Sequence, residues 1–325
     1  MRTFRREHET AQFACRTGGA CPGGRPRILH AQEKKTLAFV VNVSADFWTI
    51  ARRGIEKANR EHPEFNMEMI VPGQASAAEQ RRIVDELLAR KVAGIAISAI
   101  NPGNSTEMLN RAASQAVLFT TDSDAPASNR VVYIGTDNVA AGREAGAQMK
   151  KALPSGGKAM LFVGTMDADN ARERVQGIRE ALQGGNIEIV DIRTDESDMA
   201  RAKRNVEDVL ARYADIDLLV GLWAYNTPQI YQAVKGAGRE NRVKIVGFDE
   251  DGLTLRGVAD GTIYSTVVQQ PFEFGYQSMV GMVKYLNNDR SFIPASKQII
   301  IPTRIIDKSN VEEFQKQMRD LLRTR

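Results

Sequence analysis

Carboxylates, amides, two guanidinium groups and aromatic rings recur in short clusters along this chain: Ser44-Ala45-Asp46-Phe47-Trp48, Thr121-Asp122-Ser123-Asp124, Asp169-Asn170-Ala171-Arg172-Glu173-Arg174, Trp223-Ala224-Tyr225-Asn226 and Phe248-Asp249-Glu250-Asp251, with Gln269-Gln270-Pro271 beyond them. An aromatic face stacks on the apolar C–H face of a sugar ring, and Asp and Arg make fixed bidentate hydrogen bonds with its hydroxyls. These residue types together suit a neutral polyhydroxylated ligand.

Bond-breaking chemistry is poorly supplied. Cys15, Cys21, His8 and His30 all fall within the first 33 residues, which leaves the rest of the chain with His62 alone. Thiol nucleophiles, Cys/His metal sites and Ser-His-Asp triads are therefore not expected there, and neither a metal nor a cofactor is implied. Ser155-Gly156-Gly157-Lys158 resembles the end of a phosphate loop, but a strand follows it where such a loop needs a helix N-terminus. No G-x-G-x-x-G follows the first apolar run, which argues against a dinucleotide enzyme.

Each cluster follows an apolar run, and the runs alternate with amphipathic segments. Strands are expected at 36–43, 67–71, 92–100, 116–121 and 131–136, then again at 158–163, 187–192, 216–222 and 243–248. Helices are expected between them, the first over 47–61, and Ser76-Ala77-Ala78-Glu79 forms a capping box for the second. Two rounds of βαβ imply two doubly wound parallel-sheet lobes, an α/β fold in which ligands bind at the carboxyl ends of the strands. A strand at 263–269, a helix at 272–286, a strand near 298–306 and a helix over 309–323 are too few for a third domain and should return to complete the first two.

The chain has 325 residues, 42% hydrophobic and 26% charged, with a net charge of +4. Residues 1–33 hold six Arg against three Glu, so the remainder carries only +1 and has no electrostatic case for nucleic acid. No apolar run reaches the 18 or so residues that a membrane helix needs. The first 33 residues read as a leader, disordered by composition, and Leu29-His30-Ala31-Gln32 has the small-residue character of a signal-cleavage site. The expectation is that the start is misassigned and that a signal segment ends near Ala31.

In this order, the motifs resemble the periplasmic sugar-binding proteins of ABC transporters, specifically the ribose-binding, type I group. Asp46-Phe47-Trp48, Thr121 to Pro126, Tyr133 to Asn138 with Ala141-Gly142, Ala171-Arg172-Glu173-Arg174 with Gly177, Val246-Gly247-Phe248-Asp249 and Gln269-Gln270-Pro271 carry the likeness, which spans about 34–315. The resemblance implies two lobes joined by a three-strand hinge and closing on one sugar. The first lobe would take 34–136 plus about 271–297, and the second 137–270 plus about 298–325.

By the same likeness, Phe47 and Trp48 sandwich the ring, Asp122 and Asp249 bind hydroxyls from opposite lobes, Arg174 supplies the guanidinium, Asn226 an amide and Gln269 the hinge amide. Asp46, Ser123, Met199 and Trp223 are further candidates. Ser123 stands where the ribose-binding pattern has Arg, and Met199 where it usually has an aromatic, so stacking from the second lobe would fall to Trp223 or Tyr225. The implied function is a non-catalytic, monomeric carrier in the periplasm or cell envelope that delivers a monosaccharide to a membrane permease. The alternatives are the sensor core of a lactose-repressor-type regulator and a receptor-linked sugar sensor. The glycines and prolines of residues 1–33 argue against a helix-turn-helix there.

Overall fold

The computed structural model describes residues 34–323; the expected leader, 1–33, lies outside them. The first lobe opens with β1 (Lys35–Val40), α1 (Phe47–Glu61), β2 (Phe65–Ile70), α2 (Ala77–Ala89), β3 (Gly94–Ile97), α3 (Pro102–Gln115), β4 (Val117–Thr121) and β5 (Val132–Gly135). The second comprises α4 (Asn138–Ala152), β6 (Gly157–Val163), α5 (Asp169–Leu182), β7 (Ile187–Thr194), α6 (Met199–Arg212), β8 (Leu218–Gly221), α7 (Asn226–Gly236), β9 (Lys244–Phe248), α8 (Gly252–Asp260) and β10 (Ser265–Val268). The chain then returns through α9 (Pro271–Leu286) and β11 (Gln298–Ile300), and ends with β12 (Arg304–Asp307) and α10 (Val311–Arg323).

Two six-stranded sheets result. Their orders are β11-β5-β4-β3-β1-β2 and β12-β10-β9-β8-β6-β7, parallel throughout except that β12 runs antiparallel to β10. The strands read as continuous apolar runs because helices cover both faces of each sheet. Leu37 and Phe39 pack on one side of β1 with Ile55, Phe274 and Met282, and Ala38 and Val40 pack on the other with Ile83 and Leu109. In the second sheet, Leu161 and Val163 face Val175 and Ile178, while Met160 and Phe162 face Val234 and Ile230.

The lobes are joined at three crossings: 136–137, 269–270 and 301–303. The strand expected near 298–306 is in fact two strands in different sheets. Gln298–Ile300 pairs with Tyr133–Gly135 and so belongs to the first sheet, where the second lobe had been expected to claim it. Pro302 has no N–H to continue a ladder, so pairing stops there and the chain crosses. The helices that follow two of the crossings, α9 and α4, press against α1 and α5 respectively. An added Cβ on Gly54 would lie 2.0 Å from Phe272 O, and one on Gly177 would lie 2.0 Å from Val139 O. Glycine at these points lets the α1/α9 and α4/α5 backbones come into contact, which holds the first turns of α1 and α5 at fixed depth over the cleft.

Candidate functional site

Both sheets point the carboxyl ends of their strands at the same cleft. In each lobe an Asp follows the fourth strand directly: Asp122 after β4 and Asp249 after β9. Both have left-handed backbones (φ 57° and 67°), a conformation that Asp tolerates better than most residues. A hydroxyl from the neighbouring strand ties down each of these turns. Tyr133 Oη lies 3.0 Å from the Asp122 carbonyl, and Thr266 Oγ1 donates to the Asp249 carbonyl at 2.8 Å. The Asp122 loop is further fixed by Asp124, which takes both arms of the buried Arg130 at 2.5 Å.

The two carboxylates differ in their partners. Asp122 Oδ2 accepts from Ser98 Oγ at 2.7 Å and from Asn42 Nδ2 at 3.2 Å, both within the first lobe. Asp249 Oδ1 accepts from Gln269 Nε2 at 2.9 Å. Burial pushes both carboxyls above the usual carboxylate range, Asp249 to about 6, and the nearby Arg174 guanidinium opposes the shift in each case.

Arg174 is 1% exposed. Its Nε donates to Asn138 Oδ1 (3.0 Å), Nη1 donates to the Leu222 carbonyl (2.5 Å), and its guanidinium carbon sits 4.4 Å from the centre of the Phe248 ring. Among the described residues Nη2 is buried with no partner, and so is Gln269 Oε1. Arg174 and Gln269 line the same narrow cavity, about 340 Å³ of unfilled space that also touches Asp122 and Asp249. An unpaired buried donor and acceptor each cost free energy unless a ligand or water completes them.

Aromatic walls close the cavity from both lobes. Phe47 and Trp48 stand edge to face at 4.8 Å in the first turn of α1, and Trp48 Nε1 donates to Asn42 Oδ1 at 3.2 Å. Trp223 and Tyr225 stand opposite, after β8 (6.2 Å, 72°). A Cβ on Gly164 would come within 2.1 Å of the Trp223 ring, so the glycine ending β6 makes room for the indole. The lobes already meet across the cavity. Asn170 Nδ2 reaches both Asp122 oxygens at 3.4 Å while its Oδ1 accepts from Trp223 Nε1 at 3.2 Å, and at the rim Asn101 Nδ2 donates to Asp167 Oδ2 at 3.0 Å.

Of the expected site residues, Phe47, Trp48, Asp122, Arg174, Trp223, Asp249 and Gln269 line this cavity together. Asn226 does not. Its Oδ1 accepts from the Trp223 N–H and its Nδ2 donates to Asp195, so it holds the Trp223–Tyr225 loop instead of facing the cavity. Asp195, raised to about 6 mainly by burial, accepts from Tyr225 Oη as well. Ser123 is buried behind Asp122, outside the cavity lining. Asp46 and Met199 line a wider outer cleft.

Two amides that line the cavity were not singled out from the sequence, Asn42 and Asn170. Asn42 lies just past the end of β1, and Asn170 sits inside the Asp169–Arg174 cluster. A search for polar residues immediately after strands and in first helical turns would have found both.

Comparison with known proteins agrees with this geometry. The model of the periplasmic binding protein domain matches residues 37–290. The chain belongs to that family. The ribose import binding protein RbsB of Haemophilus influenzae is 25% identical over 281 residues, covering 83% of this chain and 92% of that one. RbsB of Escherichia coli is 25% identical over 268 residues, 80% of this chain and 88% of that one. Among solved structures, an ABC transporter solute-binding protein from Burkholderia graminis in complex with D-arabinose superposes with a TM-score of 0.80 at 26% identity, covering 85% of this chain and 96% of the other. GanP, a glucose–galactose binding protein from Geobacillus stearothermophilus, gives 0.80 at 28% identity, covering 86% and 99%. The XylFII–LytSN complex gives 0.78 at 27% identity, covering 85% and 98%. Among the described residues no helix is long and apolar enough to cross a membrane.

Proposed function

We propose that this member of the periplasmic binding protein family is the substrate-binding component of an ABC-type sugar importer. It binds a neutral monosaccharide between its lobes and presents the closed form to a membrane permease in the periplasm or cell envelope, as a monomer and without turnover. The observation that carries this reading is a buried donor and acceptor without partners among the described residues, Arg174 Nη2 and Gln269 Oε1, in a cavity lined by a carboxylate and an indole from each lobe. A sugar ring offers hydroxyls for the polar atoms and C–H faces for the rings. The sugar-binding relatives and neighbours support the same ligand class.

The ligand acts on the conformation by touching both lobes. Only a ligand with differential contacts shifts the balance between open and closed states, and a sugar held by Asp122 on one side and by Arg174 and Asp249 on the other has them. A thermal-shift screen of the full chain against pentoses, hexoses and polyols, followed by calorimetry, tests the reading. A ligand at 100 times its Kd should add about 2.7 kcal/mol of stability. No shift with any sugar sinks it, and so does turnover of the bound sugar. A receptor-linked sensor is the second reading, favoured by the neighbour found in the XylFII–LytSN complex. Transport of the identified sugar in cells, lost on deletion of the gene, separates the two.

A further inference from the structure

The inner cavity continues outward. A larger cleft, about 1130 Å³ of unfilled space, shares Ala45, Phe47, Trp48, Ala224 and Tyr225 with it, so the aromatic wall of one is the inner end of the other. The topology explains where it lies. β2 and β7 are the edge strands furthest from the crossings in their respective sheets. Val71, directly after β2, and Met199, which opens α6 after β7, therefore line the cleft on the side away from the crossings.

These two residues are among the few large apolar side chains left exposed, at 40% and 39%. Positive charge and hydrogen-bonding capacity accompany them. Arg52 on α1 and Gln229 and Gln232 on α7 also line the cleft, and none of the three makes a side-chain hydrogen bond or ion pair among the described residues. Apolar surface beside unengaged amide and guanidinium donors is what the inner cavity offers to one sugar ring, repeated at a wider spacing.

We propose that the outer cleft is a second sugar subsite, and that the preferred ligand is a disaccharide or glycoside whose terminal ring occupies the inner cavity. The second ring lays a C–H face on Met199 and Val71 and turns its hydroxyls to Arg52, Gln229 and Gln232. This rests on the sugar-binding reading and extends its ligand by one residue. A solvated vestibule could equally well be lined with charges alone, and the exposed methionine and valine are the feature such a role leaves unexplained.

The test is calorimetry on the full chain with D-galactose, D-glucose, D-xylose and D-arabinose, set against melibiose, lactose, cellobiose and xylobiose. The expected result is that at least one disaccharide binds about tenfold tighter than the monosaccharide forming its terminal ring. Arg52→Ala and Gln229→Ala should each remove most of that gain and leave monosaccharide affinity within about twofold, since neither residue lines the inner cavity. Tight monosaccharide binding with every disaccharide weaker overturns the second subsite and leaves the sugar-binding reading standing. Disaccharide gain untouched by both variants overturns the assignment of these residues. If neither set binds, the sugar-binding reading fails and the second subsite fails with it.

Discussion

The two lobes share a plan and divide the work unequally. In each, an aromatic pair and a left-handed Asp stand at strand ends, and a hydroxyl from the adjacent strand steadies the Asp carbonyl. Yet the first lobe supplies the closest partners of its own carboxylate, Ser98 and Asn42, with Asn170 of the second lobe reaching it at 3.4 Å. The second lobe carries the buried cation of the cavity, Arg174, with a nitrogen that has no partner among the described residues, and a carboxylate with one strong side-chain partner, while the amide oxygen of Gln269, likewise without a partner among them, sits at a crossing. The first lobe thus offers a preassembled surface, and the second holds the unmet polar capacity that a ligand would complete.

The strongest way to break this comparison is Arg174→Ala. It removes the two hydrogen bonds of a buried guanidinium, to Asn138 and the Leu222 carbonyl, and the positive charge near Asp122 and Asp249, so a stability loss of about 3 kcal/mol is expected together with complete loss of sugar binding. Thermal unfolding and calorimetry read the two effects. Normal binding by a folded variant would refute the division of labour.

The paired carboxamides sharpen it. Asp122→Asn disturbs an acceptor with two same-lobe donors and should cost about 1–3 kcal/mol of apo stability. Asp249→Asn removes a charge that burial disfavours, so apo stability at neutral pH should hold or rise by on the order of 1 kcal/mol while affinity falls at least about tenfold. Equal destabilisation by both substitutions would show that the lobes are not distinct in this way.

A smaller effect follows from pH. Asp249 has its carboxyl raised from 3.8 to about 6, with burial the leading cause and Arg174 opposing it. Because the folded value lies above the unfolded one, the apo protein is favoured at low pH and loses that stability as pH rises from about 4 through about 6. Sugar hydroxyls donate best to the ionised carboxylate, so affinity should strengthen over the same window and level off above it. Calorimetry from pH 4.5 to 8 measures the trend, and Asp249→Asn should flatten it. Least of all, Asn101→Ala removes the exposed rim contact to Asp167; a loss of affinity below about threefold is expected, with scattering showing a slightly more open apo ensemble.

Much of this was legible in the chain. Buried parallel strands announce themselves as apolar runs, and Asp122, Asp249 and Gln269 stand directly after strands, with Arg174 in the second turn of a helix, where a doubly wound sheet presents its ligand groups. Asn226 shows the limit of that logic. It occupies the same kind of position, but its amide turns inward to the Trp223 N–H and Asp195, and nothing in the local sequence distinguishes an amide that braces a loop from one that faces a ligand. The strand near 298–306 shows another limit: Pro302 marks the break, but which sheet each half joins depends on partners more than 160 residues away in one case and about 40 in the other.

By itself, the sequence determined the alternation of elements, the two rounds of βαβ and the residue types at the strand ends, because hydrophobic periodicity and turn chemistry are local properties of the chain. It also determined, through the absence of Cys and of every His but His62 beyond residue 33, that the lobes hold neither a thiol nor a pair of imidazoles. The tertiary structure alone decided which polar atoms remain unpaired. Whether Arg174 Nη2 or Asn226 Oδ1 finds a partner depends on groups brought together from distant strands, and hydrogen bonding is satisfied in space and not along the chain.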